Sequence, residues 1–75
     1  MAARWEYRRV VETAQGEILS DPREVVGDAQ KRWIDSLNAL GADGWELISE
    51  RFVTGEYLTG KRYAQYSGTM KRETA

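Results

Sequence analysis

Residues 37–48, which read L-N-A-L-G-A-D-G-W-E-L-I, constrain the fold of this 75-residue chain most, because they join a helix end to a strand start. Gly41 follows the last apolar residue of a helical pattern, where glycine adopts the left-handed conformation that ends many helices. Asp43 and Gly44 form a second turn signal, and Trp45 opens an extended run. Because the loop is this short, the helix must pack back onto the sheet that the strand joins.

Length and composition predict one small domain that spans residues 1–75, with frayed ends at 1–4 and 72–75. A chain of this size buries only about 60% of its unfolded surface, so its core is marginal. Cysteine and histidine are both absent from the sequence, which removes disulfides, the commonest general base and the commonest metal ligand. Small chains without such reinforcement often associate, and three Trp and four Tyr residues suit an interface. We therefore expect a homo-oligomer with no cofactor and no metal site.

The charge balance argues against a polyanionic or membrane partner. Charged residues make up 31% of the chain, and the formal net charge is −1. Such a surface has no overall attraction to nucleic acid or to an anionic membrane. The sequence also has no apolar run long enough to span a bilayer and no signal-peptide pattern. We expect a cytoplasmic protein without a membrane partner, and we disfavour nucleic acid as a partner.

Three segments have the composition of β-strands. They lie at residues 5–13, 45–53 and 63–70, where aromatic and β-branched residues concentrate. Residues 14–16 are expected to form a turn, and residues 17–19 a brief edge strand.

The main helix is expected at about residues 29–40, after at most one short turn at residues 22–26, because Gly27 and Asp28 interrupt the pattern. Its apolar stripe recurs at three- and four-residue steps and consists of Ala29, Trp33, Ile34, Leu37 and Leu40. The predicted fold class is α+β: a small antiparallel sheet of three main strands, in the order β-α-β-β, with the helix on one face.

The alternation of the first strand leaves its register open. Arg9 shares its parity with Trp5 and Val11, while Val10 falls on the other parity. Either Arg9 points toward the apolar face, or a bulge near Arg8 and Arg9 turns Val10 inward. We favour the bulge, because an unpaired arginine in a small core is costly.

The second strand is apolar on both parities, so one of its faces is expected to lie under the helix and the other to lie open or against a second molecule. Ile48 and Phe52 fall on the parity that we expect to be open. The candidate oligomer interface therefore consists of Val10, Ile48, Phe52 and Tyr63.

Two sequence motifs indicate a resemblance to a known family. Trp5-Glu6-Tyr7 opens the first strand, and residues 37–49 include L-G-A-D-G-W-E-L. Together they resemble a family of small bacterial and phage domains of unknown function, which read W-E-Y-x-V-V and then L-N-x-L-G-x-x-G-W-E-L-V. The ending Met70-Lys71-Arg72 is similar to the basic ending of that family. The resemblance implies an antiparallel sheet with one helix and no catalytic residues. The chain departs from it in having Arg8-Arg9 before Val10, and in two long connections.

Two sequence patterns resemble catalytic motifs, but neither meets the requirements of the chemistry. Residues 55–62 contain G-x-x-x-x-G-K, but Arg62 stands where a phosphate loop needs a hydroxyl, and a strand is expected to follow in place of a helix. We interpret this run as a hairpin loop. Glu46 and Glu50 lie about 13 Å apart on a strand, too far for a paired acid and base. We expect no enzyme.

Three functions remain. The first is a non-enzymatic binding module that works as a homo-oligomer, through the open sheet face or a sheet edge. The second, by analogy with small phage proteins, is an oligomeric sponge for a small anionic nucleotide-like ligand. Its candidate residues combine cations with aromatic rings and are Arg9, Tyr57, Lys61, Arg62 and Tyr63. The third is an inhibitor or adaptor that docks on a larger protein.

Overall fold

The computed structural model describes residues 4–17 and 21–74, which form three strands and one helix. The elements are β1 (Arg4–Gly16), α1 (Pro22–Ala42), β2 (Glu46–Glu56) and β3 (Arg62–Thr74). The strands make one antiparallel sheet in the order β1-β3-β2, with α1 packed on one face. The predicted α+β class and the order β-α-β-β are confirmed. In the described ranges, no helix is both long and apolar enough to cross a membrane.

The outer parts of the strands extend further than the sequence predicts. Residues 14–16 belong to β1 and do not form a turn, because all three pair with β3. Residues 72–74, expected to fray, extend β3 along the start of β1. Of the edge strand predicted at residues 17–19, residue 17 is not in a strand, and residues 18–19 lie outside the described residues, as do residues 1–3 and 75.

The helix is one continuous element, so the interruption predicted at residues 27–28 is wrong. Val25 and Ala29, on either side of this pair, are both buried against the sheet. Glycine in a helix interior costs only about 1 kcal/mol relative to alanine, which such packing offsets.

Both ends of α1 are capped. At the start, the Asp21 Oδ1 accepts a hydrogen bond from the Arg23 N–H at 2.9 Å. Hydrogen bonds from the Arg23 side chain, and then from its backbone, hold the pKa of Asp21 below its usual value. At the other end, Gly44 has φ +88°, and the Trp45 N–H donates to a carbonyl of the last turn at 3.1 Å. The left-handed stop therefore lies at Gly44 and not at Gly41, which stays helical.

The β-bulge lies in β2 and not in β1, where we expected it. β1 pairs with β3 residue by residue without a shift. The register of β2 shifts between Leu47 and Ser49, which leaves Ile48 as the extra residue. Because the bulge changes the parity of the strand, Leu47 and Phe52 both lie on the side of α1. The prediction that Phe52 lies on the open side is therefore wrong.

The register of β1 places Arg9 on the face of the sheet away from the helix. Val10 is buried below α1 in contact with Trp33, so its neighbours Arg9 and Val11 point to the opposite side. Trp5 shares that side with them. Arg9 thus shares a face with Trp5 and Val11, and the core of the described residues lies on the other face.

The hydrophobic core is one thin layer between α1 and the sheet. In the described part of the chain, the buried hydrophobic residues are Val10, Ala14, Val25, Ala29, Trp33, Ala64 and Met70. The molecule measures 55 × 21 × 13 Å, with a radius of gyration of 15.2 Å. A compact domain of this length has a radius of gyration of about 11 Å. The fold is therefore elongated, and a small core supports a long sheet.

Gly68 allows the largest helix side chain to reach the sheet. A Cβ at this position would come within 3.1 Å of the Trp33 Cη2 and 3.0 Å of the Leu47 Cδ1, and would clash with the Ser49 carbonyl oxygen. The Trp33 Nε1 donates a hydrogen bond to the Glu50 Oε1 at 2.6 Å, which fixes the ring over the glycine. This glycine therefore serves close packing, one of the two roles that its place in a strand suggests.

Replacing Gly68 by alanine is expected to lower the free energy of unfolding by about 1–3 kcal/mol, because the added Cβ must displace Trp33 or the backbone of β2. Gly27→Ala is the matched control, because Gly27 lies inside α1 and the added Cβ would meet no heavy atom within 4 Å beyond the backbone of its own helix. There alanine is expected to raise stability by up to about 1 kcal/mol. Urea unfolding of both variants tests this, and a neutral or stabilising Gly68→Ala would contradict it.

Candidate functional site

The described residues leave the face of the sheet away from α1 uncovered, and we call it the open face. Its side chains alternate with the buried ones along each strand: Trp5, Tyr7, Arg9, Val11, Thr13 and Gln15 of β1, Tyr63, Gln65, Ser67, Thr69, Lys71 and Glu73 of β3, and Glu46, Ser49, Arg51 and Val53 of β2. β1 and β3 have 13 residues each. The face is therefore about 43 Å long and about 14 Å wide.

Aromatic side chains concentrate at the two ends of the open face. Near the start of β1, the Lys71 Nζ lies 4.4 Å from the centre of the Trp5 ring, and Tyr7 beside them is 64% exposed. At the hairpin end, the rings of Tyr57 and Tyr63 are 4.8 Å apart. These rings present flat, amphipathic surface of the kind that is enriched in interfaces.

The middle of the open face carries two arginines among hydroxyl groups. Arg9, Ser49, Arg51, Ser67 and Thr69 line a depression of about 180 Å³, which we call the arginine depression. Arg9 lies opposite Thr69, and Arg51 lies opposite Ser67, so the two cations flank the hydroxyls of β3 from either side. The site is polar and positively charged, in contrast to the aromatic ends.

Glu50 also borders the arginine depression, but its carboxylate is used elsewhere. Its Oε1 accepts the Trp33 hydrogen bond on the helix side of the sheet. Glu46, opposite Lys71, lies on the other side, because the bulge between the two glutamates changes the parity. The two carboxylates are thus on opposite faces and cannot act as an acid–base pair. Across residues 4–17 and 21–74, no group of three or more His, Cys, Asp or Glu side chains could hold a metal ion.

The structure does not bring the predicted ligand residues together. Four of them, Tyr57, Lys61, Arg62 and Tyr63, lie in or beside the β2–β3 hairpin loop. Arg62 lines a cavity of about 310 Å³ at the start of α1, and its Nη2 is 3.8 Å from the Glu56 Oε1. Arg9 lies opposite Thr69, seven residues further along β3, which is about 23 Å away. The run G-x-x-x-x-G-K is a hairpin loop between two strands, as interpreted from the sequence.

The four predicted interface residues also lie on different surfaces. Val10 is buried below α1, and Phe52 packs against the Tyr66 ring at 4.6 Å on the helix side. Ile48 is exposed at the bulge. Tyr63 alone of the four lies on the open face. The sequence analysis did not identify Arg51, Ser67 and Thr69 as site residues, because their alignment with Arg9 depends on the pairing of three strands.

Both outer strands have features that obstruct the addition of another strand. At the β1 edge, the Arg32 Nη1 donates a hydrogen bond to the Thr13 carbonyl oxygen at 2.9 Å. At the β2 edge, the bulge at Ile48 breaks the regular ladder. Such devices protect sheet edges from pairing with other chains. The open face has no comparable cover among the described residues, so it is the more accessible surface for a partner.

The family model described as a domain of unknown function (DUF4177) matches residues 5–73, and so spans the helix and all three strands. This match confirms the resemblance to a small domain family of unknown function that the two motifs indicate. No curated protein and no solved structure gave a significant match.

Replacing Arg32 by alanine is expected to increase self-association through the β1 edge, because it exposes the Thr13 carbonyl to pairing. Lys31→Ala is the control, since it removes a neighbouring exposed cation that makes no contact with the edge. Light scattering against protein concentration compares the two, and several-fold more large species are expected for Arg32→Ala. Equal scattering from the two variants would show that Arg32 does not protect the edge.

Proposed function

We propose that this chain, which belongs to the DUF4177 family of domains of unknown function, is a non-enzymatic interaction module that works as a homo-oligomer. Two copies meet through their open faces. The observation that carries the proposal is a long sheet face, rich in aromatic residues, that lies uncovered while a core of seven buried residues supports the described fold. Association would give this thin domain a second hydrophobic layer.

The dimensions of the open face support a dimer of ordinary size. A face of about 43 by 14 Å has a footprint of about 600 Å², and its accessible area is larger because side chains project from it. A stable interface buries about 800 Å² on each partner. Two such faces stacked about 10 Å apart form a sandwich, with one helix on each outer side. A two-fold axis then pairs the same patch on both copies.

The composition of the open face also suits association. Tyr7 and Val11 are 64% and 53% exposed, next to the Trp5 and Lys71 pair. Aromatic residues and arginine are enriched in interfaces. The outward side of α1 instead carries charged residues, Asp28, Lys31 and Asp35 among them, all exposed. The edges are obstructed by Arg32 and by the bulge. The open face is therefore the surface that we assign to the partner copy.

A docking adaptor would use the same face for a different protein. That function is the alternative if the chain stays monomeric at high concentration, because the open face would then lack its partner in the pure protein. We also propose a cytoplasmic location, on the charge and composition described from the sequence.

Val11→Lys is expected to raise the dissociation constant of the dimer by about tenfold or more, because it places a charge from each copy in the interface. The monomer fold should be kept, since Val11 is exposed. Leu58→Lys is the matched control, because Leu58 is fully exposed in the hairpin loop and should leave association unchanged.

The measurement is native mass spectrometry together with light scattering across a range of protein concentrations. A wild-type protein that is monomeric throughout would refute association through the open face. A dimer that is equally stable in the wild type and in Val11→Lys would show that the copies meet elsewhere.

A further inference from the structure

We infer that the arginine depression binds a phosphate group, either inorganic phosphate or the phosphate of a small ester. The site on one protomer stands by itself. The inference rests on the proposed function only where it places the bound group between two copies. The observation behind it is a set of hydrogen-bond donors that converge on the middle of the open face.

The positions of the two arginines suit an oxyanion that lies above β3. Arg9 and Arg51 are on the strands on either side, displaced by two residues along the sheet. Their Cα atoms are therefore about 12 Å apart. Two extended arginine side chains close most of that distance. Each guanidinium offers paired N–H groups that match two oxygens of a phosphate.

Hydroxyl groups form the floor of the depression. The Ser49 Oγ accepts a hydrogen bond from the Thr69 N–H at 3.3 Å, which directs the Ser49 O–H proton to another acceptor. The half-buried hydroxyls of Ser67 and Thr69 lie on the same face between the arginines. Because the Glu50 carboxylate faces the helix, the floor offers donors to a ligand without a competing anion.

Five other described arginines have side-chain contacts within the chain, which sets them apart from Arg9 and Arg51. Arg23, Arg62 and Arg72 each pair with a carboxylate. Arg8 lies over the Trp45 ring, and Arg32 binds a carbonyl oxygen.

Within residues 4–17 and 21–74, the side chains of Arg9 and Arg51 have no hydrogen-bond or ion-pair partner. This occurs in a chain that has more acidic than basic residues, 12 against 11. Two neighbouring unpaired guanidiniums in a shared depression favour an anion from outside the chain.

The proposed dimer increases the need for this anion. If the open faces meet, the arginines of both copies lie in the interface. A buried charge without a counter-ion is strongly destabilising. A phosphate group that bridges the two depressions would neutralise the arginines and join the copies. Binding of the anion and association would then promote each other.

The size of the depression limits what it holds. Sites for drug-sized molecules have volumes of about 300–1,000 Å³. The depression, at about 180 Å³, takes the phosphate group alone. The remainder of an ester would extend along the face. Tyr7, two residues from Arg9 on the same side of β1, offers an exposed ring there.

The test is titration of the full chain with inorganic phosphate, followed by calorimetry and thermal unfolding, with ionic strength held constant by chloride. Arg9→Gln and Arg51→Gln are the site variants, and Lys31→Gln on α1 is the control. All three positions are exposed, so the fold is expected to be kept. Each site variant is expected to lower phosphate affinity by roughly tenfold to a hundredfold, while the control binds as the wild type does.

An ester arm compares adenosine monophosphate with adenosine. The monophosphate should bind through the same two arginines, whereas adenosine should not bind. Adenosine that binds as well as its monophosphate would overturn recognition of phosphate. Phosphate binding that persists unchanged in both site variants would overturn the assignment to the arginine depression.

The oligomeric state separates this inference from the proposed function. A wild-type dimer that neither binds phosphate nor responds to it would refute the phosphate site and leave the dimer. A wild-type monomer that binds phosphate through Arg9 and Arg51 would establish the site on a single face and refute the dimer.

Discussion

The packing of Trp33 against the sheet at Gly68 is the contact on which the rest of the structure depends. Trp33 and Met70 are the largest fully buried side chains, and much of the remaining core is alanine. The indole ring stacks on Tyr66, and its N–H binds Glu50. A lone helix anchored mainly by one ring covers only one side of the sheet. That limit creates the open face.

The polar groups in the middle of the sheet differ between its two faces. On the helix side, carboxylates are engaged inside the fold: Glu50 accepts from Trp33, and Glu12 accepts from Ser36. Glu6 pairs with Arg72, whose guanidinium also lies over the Trp45 ring. Two strand carboxylates thus bind helix side chains, and a third forms an ion pair between neighbouring strands. The middle of the open face is left with arginines and hydroxyls, so the charge pattern that suggests a ligand follows from how the core is built.

Association and anion binding both follow from the mixed composition of the open face. The open face has apolar and aromatic area that a second copy would remove from water, but it also has cations that resist burial. An anion in the arginine depression resolves this conflict, because it neutralises the charge where the faces meet. The obstructed edges matter for the same reason, since they restrict the partner to the face and keep the sheet from extending sideways.

The sequence by itself determined the class of the fold, the family and the hairpin at residues 55–62, because periodicity and turn residues are local signals. It also determined the helix stripe around Trp33, except for Ile34, which is exposed. Only the tertiary structure decided which side chains of each strand lie on which face of the sheet. One bulge at Ile48 inverts the parity of the second half of β2, and nothing local marks which strand carries it. Arg51 consequently joins Arg9 across β3, while Phe52 joins the helix side. A site built from three paired strands is a property of their register, which the chain sets only when the helix packs on the sheet.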